Sequence, residues 1–194
     1  MTPFAKTALS ALMLLLAAAS QAQSVVYSGR LDDPGNAALV GSDLGAPSFV
    51  DGRAVANNVA LYIFDVLSPG LVTIQSSGFA AGGIDPYFSL FAGAGSTASF
   101  VDSNYAQAFS TGGDFVFSAM LPAGTYRMAL GAFANMSRAE NLGTGSLADG
   151  FTGLGAPMYL GDGSYHLTLN SPVPEPAAWG LLAVALPLLL RRRR

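Results

Sequence analysis

The sequence predicts an all-β fold, an antiparallel two-sheet sandwich, between residues 23 and 171. Apolar residues there come in short runs, and several runs alternate with polar residues in the period of two that a half-buried strand requires. Turn sequences rich in Gly, Pro and Asp separate most of the runs, and no stretch has the spacing of a long amphipathic helix.

Eight segments read as strands: VVYSG (25–29), VALYIFDV (59–66), LVTIQSS (71–77), PYFSLFA (86–92), ASFVDS (98–103), DFVFSAM (114–120), TYRMALGAF (125–133) and SYHLTLN (164–170). In the seventh, Tyr126, Met128, Leu130 and Ala132 share one face, opposite Arg127. In the eighth, Tyr165, Leu167 and Leu169 face one way and His166, Thr168 and Asn170 the other. Ser68-Pro69-Gly70 suits a type II turn after the second strand, and Leu121-Pro122-Ala123-Gly124 a type I turn after the sixth. Gly161-Asp162-Gly163 suits a tight hairpin turn before the eighth. Residues 32–58 and 135–160 read as long connections, the second with a helical turn near Ser137 to Leu142, and binding surfaces are best sought in such loops.

The N-terminal end has a different character. Residues 1–22 place Lys6 before an apolar run from Ala8 to Ala19 and end in the small residues Ser20 and Ala22, the pattern of a secretory signal peptide cut before Gln23. The exported part, 23–171, holds eleven Asp and Glu against four Arg and no Lys, so 4 − 11 gives a charge of −7, where the whole chain carries −3. Such a surface repels nucleic acid and anionic lipid, and nucleic-acid binding is excluded as a function. With no cysteine there is no disulfide, no thiol chemistry and no Cys-based zinc site.

No catalytic constellation stands out, and the chain reads as a non-enzyme. His166 is the single histidine, placed mid-strand on a polar face, and no segment resembles a nucleophile elbow. Adjacent Asp32 and Asp33 point to opposite sides of an extended chain and cannot share a substrate atom. Calcium is the one cofactor with candidate ligands: Asp85, Asp102 and Asn104, with Ser103, flank one predicted hairpin, and a hard cation takes carboxylate, amide and carbonyl oxygens. Asp114, Asp149 and Asp162 are further loop acids, and solvated turn aspartates are the alternative reading of all of them. Tyr87, Tyr105, Tyr126, Tyr159 and Tyr165 are candidate sugar-stacking rings, with core packing as the alternative. The glycine-rich 78–83 segment lacks the following helix and Lys-Ser/Thr of a phosphate loop and reads as a turn.

The C-terminal segment, 172–194, has three parts: Pro174-Glu175-Pro176, the apolar AAWGLLAVALPLLL, and the basic Arg191, Arg192, Arg193 and Arg194. Fourteen residues from Ala177 to Leu190 make about 21 Å of helix against a hydrocarbon core of roughly 30 Å, a marginal span further weakened by Pro187. Four arginines favour a cytoplasmic C-terminus and leave Pro-Glu-Pro outside. These three parts in this order resemble the PEP-CTERM sorting signal. The resemblance implies recognition by an exosortase, a multi-pass, transpeptidase-like membrane enzyme of Gram-negative bacteria that cuts near the motif. It also implies transient residence in the inner membrane as a single transmembrane helix, then delivery to the cell surface or extracellular matrix, where such cargo often accompanies exopolysaccharide in biofilm. A plain tail anchor would share the topology and keep the helix.

The body carries a second resemblance. GGIDPYFSLFAGAGS (82–96), LPAGTYRMALGAF (121–133) and SLADGFTG (146–153) are similar to exported β-rich domains that carry this tail and to the bacterial pre-peptidase C-terminal domain. The likeness covers residues 59–170 and implies a small jelly-roll-like sandwich, and it does not imply an active site. Where relatives often have an acidic cluster after the first hairpin strand, this chain has only Asp102-Ser103-Asn104. The sequence thus leads to an exported, non-enzymatic surface or matrix protein, with a polysaccharide-binding module, possible with calcium, as the alternative.

Overall fold

The computed structural model describes residues 22–33, 59–104, 113–132, 135–152 and 161–174. All eight predicted segments are strands: β1 (Ala22–Arg30), β2 (Ala60–Val66), β3 (Gly70–Ser77), β4 (Pro86–Ala92), β5 (Ser99–Ser103), β6 (Val116–Leu121), β7 (Gly124–Ala132) and β8 (Ser164–Pro172). They form two four-stranded antiparallel sheets of order β1-β8-β3-β6 and β2-β7-β4-β5. Four of the pairings, β1 with β8, β2 with β7, β3 with β6 and β4 with β5, are those of one long hairpin whose tip lies between β4 and β5. Successive pairs alternate between the sheets, so the hairpin is rolled up rather than flat.

Inward-facing residues of both sheets make one core. Val72 and Ile74 of β3, Phe117 of β6 and Leu167 and Leu169 of β8 meet Phe64 and Val66 of β2, Phe88 and Leu90 of β4 and Met128 and Leu130 of β7. Phe88 lies at its centre, stacked on Phe115 (centroids 4.9 Å apart, planes at 18°) and edge-on to Phe117 (4.8 Å, 76°), geometries that aromatic rings favour.

Both Pro-Gly turn sequences join the strands they were expected to join, but each carries the chain from one sheet to the other. At the β6–β7 corner the Tyr126 hydroxyl donates to the Pro122 carbonyl at 2.9 Å and so ties the turn to the strand it leads into. Gly161-Asp162-Gly163 is not a hairpin turn: β8 pairs with β1 and β3, and the triplet instead docks against the 82–84 segment. There the Asp162 amide donates to Gly82 and the Ile84 amide to Ser164. Gly161 has φ +91, and any Cβ on it would overlap the Gly83 carbonyl.

The outer face of the β2-β7-β4-β5 sheet is covered by part of the 135–160 connection, in which the helical turn expected near Ser137 to Leu142 is present. Ser137 caps a short helix, α1 (Arg138–Leu142), by accepting the Glu140 amide at 3.1 Å, and Gly143 ends it in the left-handed region. With the turn Leu147–Asp149, this segment places Ala139, Leu147 and Phe151 on Val59, Leu61, Phe91 and Ala129, forming a second small core. That cover explains why Arg127, expected on a solvent face, is buried; its guanidinium donates to the Gly93 carbonyl. Asn135, at the start of this segment, is 1% exposed and donates its side-chain amide to the Thr152 carbonyl at 3.2 Å.

Among the described residues no helix is long and apolar enough to cross a membrane. Residues 1–21 of the expected signal peptide, the expected C-terminal helix, Glu175, Pro176 and Arg191 to Arg194 lie outside the described residues, whereas Ala22, the last residue of that expected signal, begins β1 and Pro174 is exposed two residues after the end of β8.

Candidate functional site

β1 and β2 are edge strands of opposite sheets, and a groove of about 300 Å³ lies between them. Gln23, Val25 and Tyr27 line it from β1, Ile63 and Asp65 from β2, and Ser171 from β8. Val25 and Tyr27 share the inward parity of β1, yet both remain half-buried, so apolar and aromatic surface faces the groove. Asp65 stays at the rim, where its carboxylate accepts the Thr125 hydroxyl at 2.7 Å.

A tyrosine cluster adjoins the groove through Tyr27. Tyr27 and Tyr62 have ring centroids 4.4 Å apart with planes at 38°, and Tyr62 meets Tyr165 nearly edge-on at 6.3 Å and 74°. The Tyr62 and Tyr165 hydroxyls are hydrogen-bonded at 2.7 Å. Gly29 makes room for this pair: it stands opposite Tyr165 in the β1–β8 register, and a Cβ there would lie 2.6 Å from the Tyr165 Oη. Burial pushes the Tyr165 hydroxyl well above the ordinary tyrosine range, with the bond to Tyr62 adding to the effect, and burial raises Tyr27 and Tyr62 too. These hydroxyls therefore stay protonated, and the cluster offers ring faces and neutral hydrogen-bonding groups rather than acid–base chemistry.

The expected tyrosines are placed differently. Tyr87, Tyr126 and Tyr165 are each 4% exposed and pack inside the protein, while Tyr105 and Tyr159 lie outside the described residues. Tyr27 and Tyr62, the half-exposed pair, were not singled out in the sequence. The signal was their parity: Tyr27 shares a strand face with Val25, and Tyr62 with Ala60 and Phe64.

The calcium candidates hold the backbone. Asp85 accepts the Gly113 amide at 2.7 Å and Asp102 the Ser103 amide at 2.8 Å. Asn104 uses both ends of its amide on β4, accepting from Phe88 N at 2.9 Å and donating to Pro86 O at 3.1 Å. Asp114 gathers the Gly78 and Phe79 amides and the Ser76 hydroxyl, Asp149 accepts the Ser146 amide, and Asp162 accepts the amide and hydroxyl of Ser164. The Ser164 bonds hold the Asp162 carboxyl below its usual range. Among the described residues no group of three or more His, Cys, Asp or Glu could hold a metal ion. His166 is exposed on the outer face of its sheet, in register with Ser28 and Ser77.

One acid behaves differently. Glu140 accepts the Ser103 hydroxyl at 2.5 Å through Oε1, and its Oε2 is buried with no hydrogen-bond partner among the described residues. Burial pushes its carboxyl up to about 7.

No family model matches this chain, and no curated protein matches it. Among solved structures the chain is similar to the pre-peptidase C-terminal domain of a collagenase from Bacillus anthracis, at a TM-score of 0.35 and 12% identity, over 75% of this chain and 88% of that one. A likeness that loose carries no argument about fold or function, which rest on the strands and side chains above.

Proposed function

We propose that this is an exported, non-enzymatic protein of the cell surface or extracellular matrix, delivered by a PEP-CTERM signal and processed by an exosortase. The observation that carries the reading is the ordered tail: Pro-Glu-Pro, a fourteen-residue apolar stretch and four terminal arginines. Supporting it, Pro174 is exposed just beyond the last strand, so a cut within or after the motif would leave all eight strands intact. The strand order, with its rolled-hairpin pairing, supports reading the sandwich as a jelly roll. Mass spectrometry of the protein from its native host tests the proposal: loss of the residues after about Pro176 is expected, and surface protein that still ends in Arg194 would refute it.

A second reading is a polysaccharide-binding module, favoured by the half-buried Tyr27 ring in a groove that opens between two strand edges. Aromatic faces stack on sugar rings, and the neutral hydroxyls beside them suit an uncharged, polyhydroxylated polymer. Calorimetric titration of the native chain and its Tyr27→Ala variant with neutral exopolysaccharide distinguishes the readings. Saturable binding that the substitution removes supports the module; no heat with either protein refutes it.

A further inference from the structure

Edge strands leave a row of backbone donors and acceptors unpaired, and soluble proteins blunt them with charge, proline, bulges or covering segments. Among the described residues, three of the four sheet edges here carry such a device. Gly145 and Ser146 pair with the outer edge of β5, through the Phe100 amide and the Ser99–Ser146 bridge. β2 carries Asp65, and β1 ends in Arg30, ion-paired with Asp32. β6 has none: its sequence VFSAML contains no charge and no proline, and its register with β3 runs without a bulge.

The face beside that edge is apolar. Val116 is 56% exposed and Met120 73%, and Met120 stands directly across from Leu71, itself 58% exposed. Thr73, Gln75 and Ser118 complete this corner, again without charge. On a body carrying −7, an uncharged edge is where two copies can approach without bringing like charges together.

The parity of β6 allows self-pairing in a defined register. Residues opposite one another in an antiparallel pair point to the same face. A twofold axis through Ser118 meets that condition, setting Val116 opposite Met120 of the second copy and Phe117 opposite Ala119. We propose that β6 pairs with β6 of a second copy about this axis, joining two four-stranded sheets into one of eight strands. A six-residue strand buries less than the roughly 800 Å² per partner of a stable interface, so the dimer is weak, with Kd in the micromolar range or above. The inference does not depend on how the chain is sorted or on what its groove binds.

The chain has no cysteine, which makes the test direct. In the full-length chain in detergent micelles, Ser118→Cys is expected to form a disulfide dimer under mild oxidation, because the paired Cβ atoms would lie within reach. Val26→Cys, on the equally exposed face of edge strand β1, is expected to stay monomeric. Adding Met120→Lys to Ser118→Cys should lower the dimer yield on the order of tenfold, by placing a charge in the contact; Met120 is exposed, so folding is not at risk. Sedimentation velocity of the unsubstituted chain should show a concentration-dependent dimer. A chain that stays monomeric at high concentration, crosslinking of Val26→Cys equal to that of Ser118→Cys, or a yield unmoved by Met120→Lys would each overturn the proposal.

Discussion

Ser103 of β5 and Glu140 of α1 are joined by a 2.5 Å hydrogen bond that links the sheet to the layer covering it. The acceptor is the one acid in the described structure whose second oxygen is buried and unpartnered, and desolvation raises its carboxyl from 4.5 to about 7. The folded chain therefore binds this proton more tightly than the unfolded chain does. Its stabilising effect is complete below the unfolded value and is lost as pH rises through about 7. Melting temperature is expected to fall from pH 5 to pH 8, and Glu140→Gln, which keeps the acceptor without the charge, should flatten that slope. At pH 8 the variant should melt a few degrees higher, roughly 2–6 °C. Parallel slopes for the two proteins would show that Glu140 is not the titrating group.

Leu147 is fully buried in the second core. Leu147→Ala should cost about 2–5 kcal/mol in urea unfolding, as for a leucine removed from a main core. A loss below about 0.5 kcal/mol would mean that the 138–151 layer is not docked as a unit.

Gly29→Ala tests the tyrosine cluster. Its new methyl would lie 2.6 Å from the Tyr165 Oη, so the Tyr62–Tyr165 pair must shift, at a cost of about 1–3 kcal/mol. Tyr62→Phe removes only the hydroxyl bond and should cost about 1 kcal/mol. Chemical denaturation of both variants checks the order of the two effects.

Asp114 holds two backbone amides and the Ser76 hydroxyl, and the same hydroxyl accepts the Phe115 amide at 2.7 Å. Asp114→Ala should destabilise by about 1–3 kcal/mol, the cost of leaving such groups unpaired. Faster amide exchange at Gly78 and Phe79 would locate the loss.

The strands were legible because period-two alternation and turn residues are local properties of the chain. Which sheet each strand joins was not. Ser68-Pro69-Gly70 and Leu121-Pro122-Ala123-Gly124 read as type II and type I turns, but a short turn can join strands of one sheet or carry a chain around the corner between layers, and only long-range packing decides. The second core was missed because Ala98, Ala129 and Ala139 do not mark a covered face: small residues suit both water and a close-packed neighbour. The groove was legible only in part. Tyr27 alternates correctly within β1, but that β1 lies beside β2 across the open edge follows from the rolled pairing, which no local pattern encodes.

That pairing sets the order in which the fold can close. Ala22 finds its partner at Pro172, whereas β4 and β5 meet across a short turn. Closing a longer loop costs more chain entropy, so the tip of the hairpin is the cheapest place to nucleate, and the first strand made must wait for the last. A chain threaded across a membrane from its N-terminus would carry β1 unpaired for nearly the whole passage. In AQSVVYSGR, Gln23, Ser24, Ser28 and Arg30 interrupt the apolar residues and would help keep that waiting strand in water until the other end arrives.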